Sequence, residues 1–383
     1  MSNKTIIVGG GIAGMSCADA LLTAGQAFLL ITPSLGGRIM YSEPAEVNYG
    51  AYFVMGNYTH TRRLLARGKR IDPLKACFHK SPTERYTVLS WHTLRLFPEF
   101  IRLFLAMMEF SSHYEAFKRR CLVMPLRQAL EADSYMQEIY TKPAPQFVRQ
   151  KRYERAAADY VAMFSYGCTG ASVDALTSLD FLNVSMGLIV AIHNLIFDRH
   201  SITQRLGNCL VTDSVVSIEK QDGLYILKCS SGHLYQAENV ILATPASVTQ
   251  ELLGLKQIRA AASIYVHHIR GELKPVYRKY EINLFPYTSE IMLTARQSDG
   301  TFLVYSRVKD ADLAALCDRF ELLAKVDWEE AMFVHGDTYM EQQAGEGLYI
   351  AGDHNGLGLE PAAISGLYAA GQIIHKSTGS QPA

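Results

Sequence analysis

Near its start the chain reads Lys4-Thr5-Ile6-Ile7-Val8-Gly9-Gly10-Gly11-Ile12-Ala13-Gly14. An apolar run of strand length that ends in a glycine cluster and passes at once into helix-forming sequence leaves few folds open. Gly9, Gly11 and Gly14 fit the Gly-x-Gly-x-x-Gly spacing between a strand and a helix. In such a unit one glycine permits the tight turn, the next lets backbone approach a pyrophosphate, and the third lets the helix sit close to the strand. The helix N-terminus around Ile12 and Ala13 then offers unpaired N–H groups and its dipole to phosphates. Met15, Ala18, Leu21 and Leu22 share one helical face, and Gly25 suits the helix end. Ala27–Ile31 is the uniformly apolar run of a buried parallel strand. Together these residues predict a βαβ unit that binds a dinucleotide. The Gly36-Gly37-Arg38 that follows tilts the choice of dinucleotide toward FAD.

Further along, residues 45–56 read as extended, with Gly50-Ala51 and Gly56 as points of close approach. From Thr59 to Asn208 helical patterns dominate, broken at Pro82, Pro98, Pro125 and Pro143–Pro145. Residues 112–155 are charge-rich and read as exposed helices, whereas 171–197 are apolar and read as buried. Val215–Glu219, Leu224–Cys229 and His233–Gln236, separated by glycine-bearing turns, predict a β-meander, followed by the apolar run Val240–Ala243. A strand-rich block spans Ile264–Val308, and Asp312 is placed to cap a helix over Leu313–Val326. The chain closes on Gly347-Leu348-Tyr349-Ile350-Ala351-Gly352-Asp353 and a helix from about Pro361.

At 383 residues the chain has room for two domains, and its 37 basic and 37 acidic residues balance. Nothing in that balance argues for nucleic acid or a polyanionic partner. The seven cysteines lack metal-type spacing and read as reduced thiols of a cytoplasmic protein. No metal cluster is expected. The N-terminus lacks a secretory leader, and no run is long and apolar enough for a membrane span. The nearest approach, residues 94–110, is interrupted by Arg95, Glu99, Arg102 and Glu109. We read it as a helix packed on a core in preference to one lying on a membrane surface, with peripheral membrane contact as the alternative.

In this order, the glycine fingerprint, Gly-Gly-Arg, the meander and the Ala-Gly-Asp segment resemble the flavin clan of monoamine oxidases, protoporphyrinogen oxidases and phytoene desaturases. The resemblance covers roughly 1–56, 210–250 and 345–376. It implies an α/β chain: a Rossmann-like FAD-binding domain of the glutathione-reductase type (1–58, 205–250 and 335–383), with a second, discontinuous α+β substrate domain (59–204 and 251–334). It further implies that Gly36, Gly37 and Arg38 run beside the FAD pyrophosphate, and that Gly50, Ala51 and Tyr52 pass the isoalloxazine. Val215 resembles the backbone contact to the adenine, and Gly352-Asp353 the segment reaching the ribityl or phosphate region. Leu359, Glu360, Pro361 and Ala362 open the last helix, whose N–H groups are expected at the flavin N1/C2=O edge. The FAD is expected to be noncovalent.

Two departures from the family pattern stand out. The second strand ends Leu30-Ile31-Thr32-Pro33 with no acid for the ribose hydroxyls; Thr32 or Ser34 offers only a hydroxyl, which implies looser FAD retention. Leu359 stands where amine oxidases of the clan place an aromatic ring. No catalytic dyad, Ser-His-Asp order or Walker loop is visible, and hydride transfer to a flavin needs none. Tyr52, His268 and His354 are the candidates to face substrate. The expected function is FAD-dependent oxidation of a C–N or C–C bond in a partly hydrophobic small molecule by hydride transfer to N5. Two alternatives are a polyene or lipid-like desaturase or isomerase, and a flavin-binding partner or assembly protein with little turnover.

Overall fold

The computed structural model describes residues 3–42, 46–256, 260–334 and 339–378. The opening unit forms as read: strand Asn3–Val8, helix Ile12–Thr23 and strand Leu29–Thr32. The two strands pair in parallel with Ile7 opposite Leu30, and both residues are fully buried, as the apolar runs require. The sheet continues through Leu210–Thr212 on one side and Leu234–Leu242 on the other. Strand Leu234–Leu242 divides its free edge between two partners. Its first half carries the antiparallel meander Val215–Gln221 and Leu224–Cys229, and its second half receives Leu348–Ile350 in parallel. The meander therefore runs unbroken into the Val240–Leu242 segment.

A second, seven-stranded sheet is ordered Cys317–Val334, Ala260–Leu273, Phe302–Ser306, Ile291–Arg296, Ile282–Leu284, Ala76–His79 and Arg85–Tyr86. Helices from Trp91 to Ser185 pack beside it, the longest being Phe97–Cys121. A small sheet of Phe53–Met55, Ile192–Ile196 and Ala66–Arg70 completes the wall of the central cavity.

Four readings of the sequence change. Asp312 does cap, accepting from the Ala314 N–H at 3.0 Å, but only a short 3₁₀ turn follows it. Beyond Leu316 the chain is the long strand Cys317–Val334, held by antiparallel pairing along Ala260–Leu273. Residues 66–86 form strands, so the helical stretch begins only at Trp91. Within 112–155, Tyr114, Phe117, Met136, Tyr140, Phe147 and Tyr153 are buried core. Helix Phe97–Cys121 buries Leu103, Met107 and Phe110, yet Phe97, Ile101, Phe104, Leu105 and Met108 stay exposed, so it is only half a core helix.

Two glycines let backbone meet backbone. A Cβ on Gly14 would sit 1.9 Å from the Gly9 carbonyl oxygen, and one on Gly366 would sit 2.1 Å from that of Ala13. The second contact is where the last helix, Leu359–Thr378, crosses helix Ile12–Thr23. Gly366→Ala should therefore part the two helices and lower stability by about 1–3 kcal/mol, the usual range for overpacking. Urea unfolding of the variant beside the parent measures this.

Candidate functional site

One cavity of about 1170 Å³ runs from the glycine turn to the helical layer. At one end its wall is backbone: Gly9, Gly10, Gly11, Ile12 and Ala13 on one side, and Gly36, Gly37 and Arg38 on another. The glycines there serve different needs. Gly9 has φ +107° and lies against the Ala243 carbonyl, so only glycine fits the turn. Around Gly11 a Cβ would meet nothing within 4 Å, so its glycine keeps the cavity itself clear. Gly14 lies outside the wall and acts in the helix–strand contact described above. This is the division of labour the fingerprint implies.

Thr32 is committed inside the protein. Its Oγ1 accepts from the Gly10 N–H at 3.0 Å and donates to the Ser34 carbonyl at 2.8 Å. The hydroxyl thus locks the turn and has no proton left for a ribose, although Thr32 and Ser34 both line the cavity. An acid stands close by, just past the end of the neighbouring strand. Asp213, whose N–H donates to the Thr32 carbonyl, lines the same end beside Ser214 and Val215. Hydrogen bonds from Ser231, partly opposed by burial, and from the Ser214 N–H and Ser230 hold its carboxyl down at about 2. Sequence reasoning missed this residue because it sought an acid only on strand Leu29–Thr32.

Arg38 and Asp353 meet across the cavity wall. The guanidinium donates to Asp353 Oδ1 at 2.6 Å and to the Ala331 carbonyl at 2.8 Å, and sits over the Phe333 ring. Burial pushes the Asp353 carboxyl up, but the adjacent Arg38 charge and hydrogen bond hold it net below the usual carboxylate range. Gly352 and Leu359 line the wall next to Asp353, as does Ala362 in the first turn of the last helix. That turn presents N–H groups without intrahelical partners. Glu360 and Pro361 turn away from this cavity. The Glu360 carboxylate is buried and binds the Thr59 and His60 N–H groups and the His60 ring, tying residues 59–60 to the helix.

Gly50, Ala51 and Tyr52 line the cavity. A Cβ on Gly50 would lie 2.0 Å from the Arg38 carbonyl, so that glycine is required by protein backbone. Tyr52 meets Tyr305 edge to face at 6.2 Å. The two histidine candidates lie elsewhere. His268 is buried between the Tyr49 hydroxyl (2.9 Å) and Thr301 Oγ1 (2.7 Å), behind the wall. His354 places Nε2 at 3.1 Å from the Ala351 carbonyl and borders a separate small cavity.

The far half of the cavity is apolar, walled by Phe100, Phe104, Phe164, Leu188, Ile189 and Leu293. Among the described residues, the charged side chains on the whole wall are Arg38, Arg70, Asp213 and Asp353; no histidine, lysine or glutamate lines it. Its cysteine, Cys168, is a neutral thiol that burial pushes up to about 12.

A family model described as an NAD(P)-binding Rossmann-like domain matches residues 7–67. No curated protein matches the chain by sequence. Solved structures do match by shape over nearly its whole length. A wild-type putrescine oxidase bound to putrescine superposes with TM-score 0.65 at 14% identity, covering 98% of this chain and 99% of its own. A fatty acid isomerase from P. acnes that produces CLA gives 0.69 at 11% identity, covering 97% and 98%. The chain has the fold of the flavin amine oxidase clan. Cyclohexylamine oxidase from Brevibacterium oxydans IH-35A shares it as well, with TM-score 0.61 at 14% identity over 99% of this chain and all of its own. At these identities the likeness is one of fold, and the cavity wall has to supply the chemistry.

Asp353→Asn would leave Arg38 facing a neutral partner, and is expected to cost about 3 kcal/mol, the lower end for a broken buried pair because Arg38 keeps some solvent. The sign with pH follows from the depressed carboxyl. Its contribution is present above the ordinary value of 3.8 and is lost as pH falls through the lower folded value. The stability gap between parent and variant should therefore close on acidification, as chemical denaturation across the acid range would show.

Proposed function

We propose that this protein is an FAD-dependent oxidoreductase that takes hydride from a C–H carbon of a largely hydrophobic small molecule, oxidising the adjoining C–N or C–C single bond to a double bond as a proton leaves the neighbouring atom. The cavity wall carries the reading: bare glycine backbone and a helix N-terminus at one end, apolar side chains at the other. The residues fit a noncovalent FAD. Gly9–Ala13 and the first turn of that helix would take the pyrophosphate, with Gly36 and Gly37 alongside. Arg38, already paired with Asp353, would present its remaining face to the same region. Val215 would meet the adenine through its backbone, and Asp213 would serve the ribose hydroxyls in place of the missing acid on the second strand. Ala51, Tyr52, Leu359 and Ala362 would border the isoalloxazine. The bound flavin would supply the hydride acceptor. The protein's own residues orient the substrate, exclude water and place the dipole of the last helix where negative charge grows on reduction.

Within that class the apolar half favours a polyene or other lipid-like substrate, for desaturation or isomerisation, over a small diamine. The residues named around the far half include no carboxylate, so a doubly charged diamine would lack a counter-charge there. The fold houses both a fatty acid isomerase and a putrescine oxidase, so it is the apolar wall that favours the narrower reading. The free thiols suit a reducing compartment such as the cytoplasm.

Anaerobic mixing of the flavin-loaded protein with polyene, unsaturated-lipid, amine and amino-acid panels decides between these readings. Flavin absorbance should bleach with the lipid-like set, lastingly for desaturation and only transiently, with a shifted double bond in the product, for isomerisation; bleaching by small amines alone would overturn the substrate reading. No bleaching by any panel, together with a stably co-purifying protein, would favour a flavin-binding assembly role. Acid precipitation should release the FAD into the supernatant. Asp213→Ala should weaken FAD binding about tenfold or more, the usual worth of a hydrogen bond to a charged group. Thermal unfolding of the FAD-free variant separates that effect from damage to the Ser230–Ser231 turn.

A further inference from the structure

Helix Phe97–Cys121 has two apolar faces, and only the inner one is covered. Phe97, Ile101, Phe104, Leu105 and Met108 form an outer stripe at helical spacing, each about half exposed. The segment just before adds Leu94 and, at 77% and 78% exposure, Trp91 and Leu89. Soluble monomers rarely leave an apolar surface of this extent to water unless something binds it.

The stripe lies at the mouth of the cavity. Phe104 belongs to both the stripe and the cavity wall, and across the opening Leu188 and Ile189 are likewise exposed wall residues. The rim is also net basic. Lys69, Arg70, Arg95 and Arg102 are exposed on the segments that carry or border the stripe, and none forms an ion pair among the described residues. The acids of the same segments are each engaged: Glu99 is buried against Arg155, the exposed Glu109 pairs with Lys151, and Asp72 caps the Leu74 N–H.

We propose that this face docks on an anionic lipid bilayer. The stripe would enter the acyl boundary while the basic rim meets the headgroups, so that the apolar half of the cavity opens onto the membrane. A second copy of the chain is the weaker occupant, because symmetric pairing of this face would set basic rim against basic rim. No helix among the described residues is long and apolar enough to cross a membrane, so the contact is peripheral. Apolar insertion plus basic attraction gives the two signals that stable surface binding requires. The inference stands on exposed residues and does not depend on the flavin reading.

The test is co-sedimentation of the full chain with vesicles of phosphatidylcholine alone and of phosphatidylcholine with phosphatidylglycerol. The protein should pellet with the anionic vesicles, less so at high salt. Of the two tryptophans, Trp91 and Trp328, the exposed one should report insertion. Its emission should shift to the blue and be quenched by brominated acyl chains, and Trp91→Phe should remove that signal. Leu94→Gln with Leu105→Gln lies outside the cavity wall; it should weaken vesicle binding about tenfold or more and leave thermal unfolding and flavin bleaching by a soluble substrate unchanged. Failure to pellet with anionic vesicles overturns the proposal, as does pelleting that the double variant does not weaken. A concentration-dependent dimer abolished by the same substitutions, without vesicle binding, would assign the face to a second copy.

Discussion

Two carbonyl oxygens, those of Gly9 and Ala13, set how closely the elements of the dinucleotide unit approach one another. Gly14 lets the first helix lie against the turn that precedes it, and Gly366 lets the last helix lie against the first. Any side chain at either point would separate backbone from backbone. With the last helix displaced, its N-terminal turn at Leu359 would no longer border the cavity, and the loop holding Asp353 would move with it. The Arg38–Asp353 pair is a consequence of that approach, since its partners are 315 residues apart in sequence.

The cavity divides its work by chemistry. One end presents backbone groups and fixed charges suited to an anionic dinucleotide, and the other presents mainly hydrocarbon and ring faces. No histidine, lysine or glutamate lies on the described wall, so a substrate held in the far half would be positioned mainly by shape and dispersion. Tyr52 and Tyr305, edge to face, both line the cavity.

Much of this was legible because the signals are local. The fingerprint glycines, Arg38 and the Gly352-Asp353 segment lie at short, recognisable spacings, and all but Gly14 reach the cavity wall. Gly366 carries no such mark: it sits in a small-residue helix, and its partner oxygen is more than three hundred positions earlier. Asp213 escaped notice because it lies just past the end of the adjacent strand, a neighbourhood that only the pairing of Leu210–Thr212 with Leu29–Thr32 reveals. The strand Cys317–Val334 carries three Glu, two Leu and two Ala, residues that favour helices in isolation. Its long antiparallel neighbour overrides that preference, as β structure often does. In helix Phe97–Cys121 periodicity located the apolar residues but could not say that two faces were present and one lacked a cover.

The strand Leu234–Leu242 shares its outer edge between a meander made early and a strand, Leu348–Ile350, made near the end. During synthesis the opening βαβ unit can form and pair with Leu234–Leu242 while that second half-edge is still open. Until the segment from Leu348 onward has left the ribosome, the Arg38 guanidinium lacks its counter-charge and the glycine turn lacks its opposing helix. Nascent chains should thus pass through a long interval with a nearly complete nucleotide fold and one sheet half-edge unpaired. An exposed half-edge over that interval is a natural point for chaperone engagement.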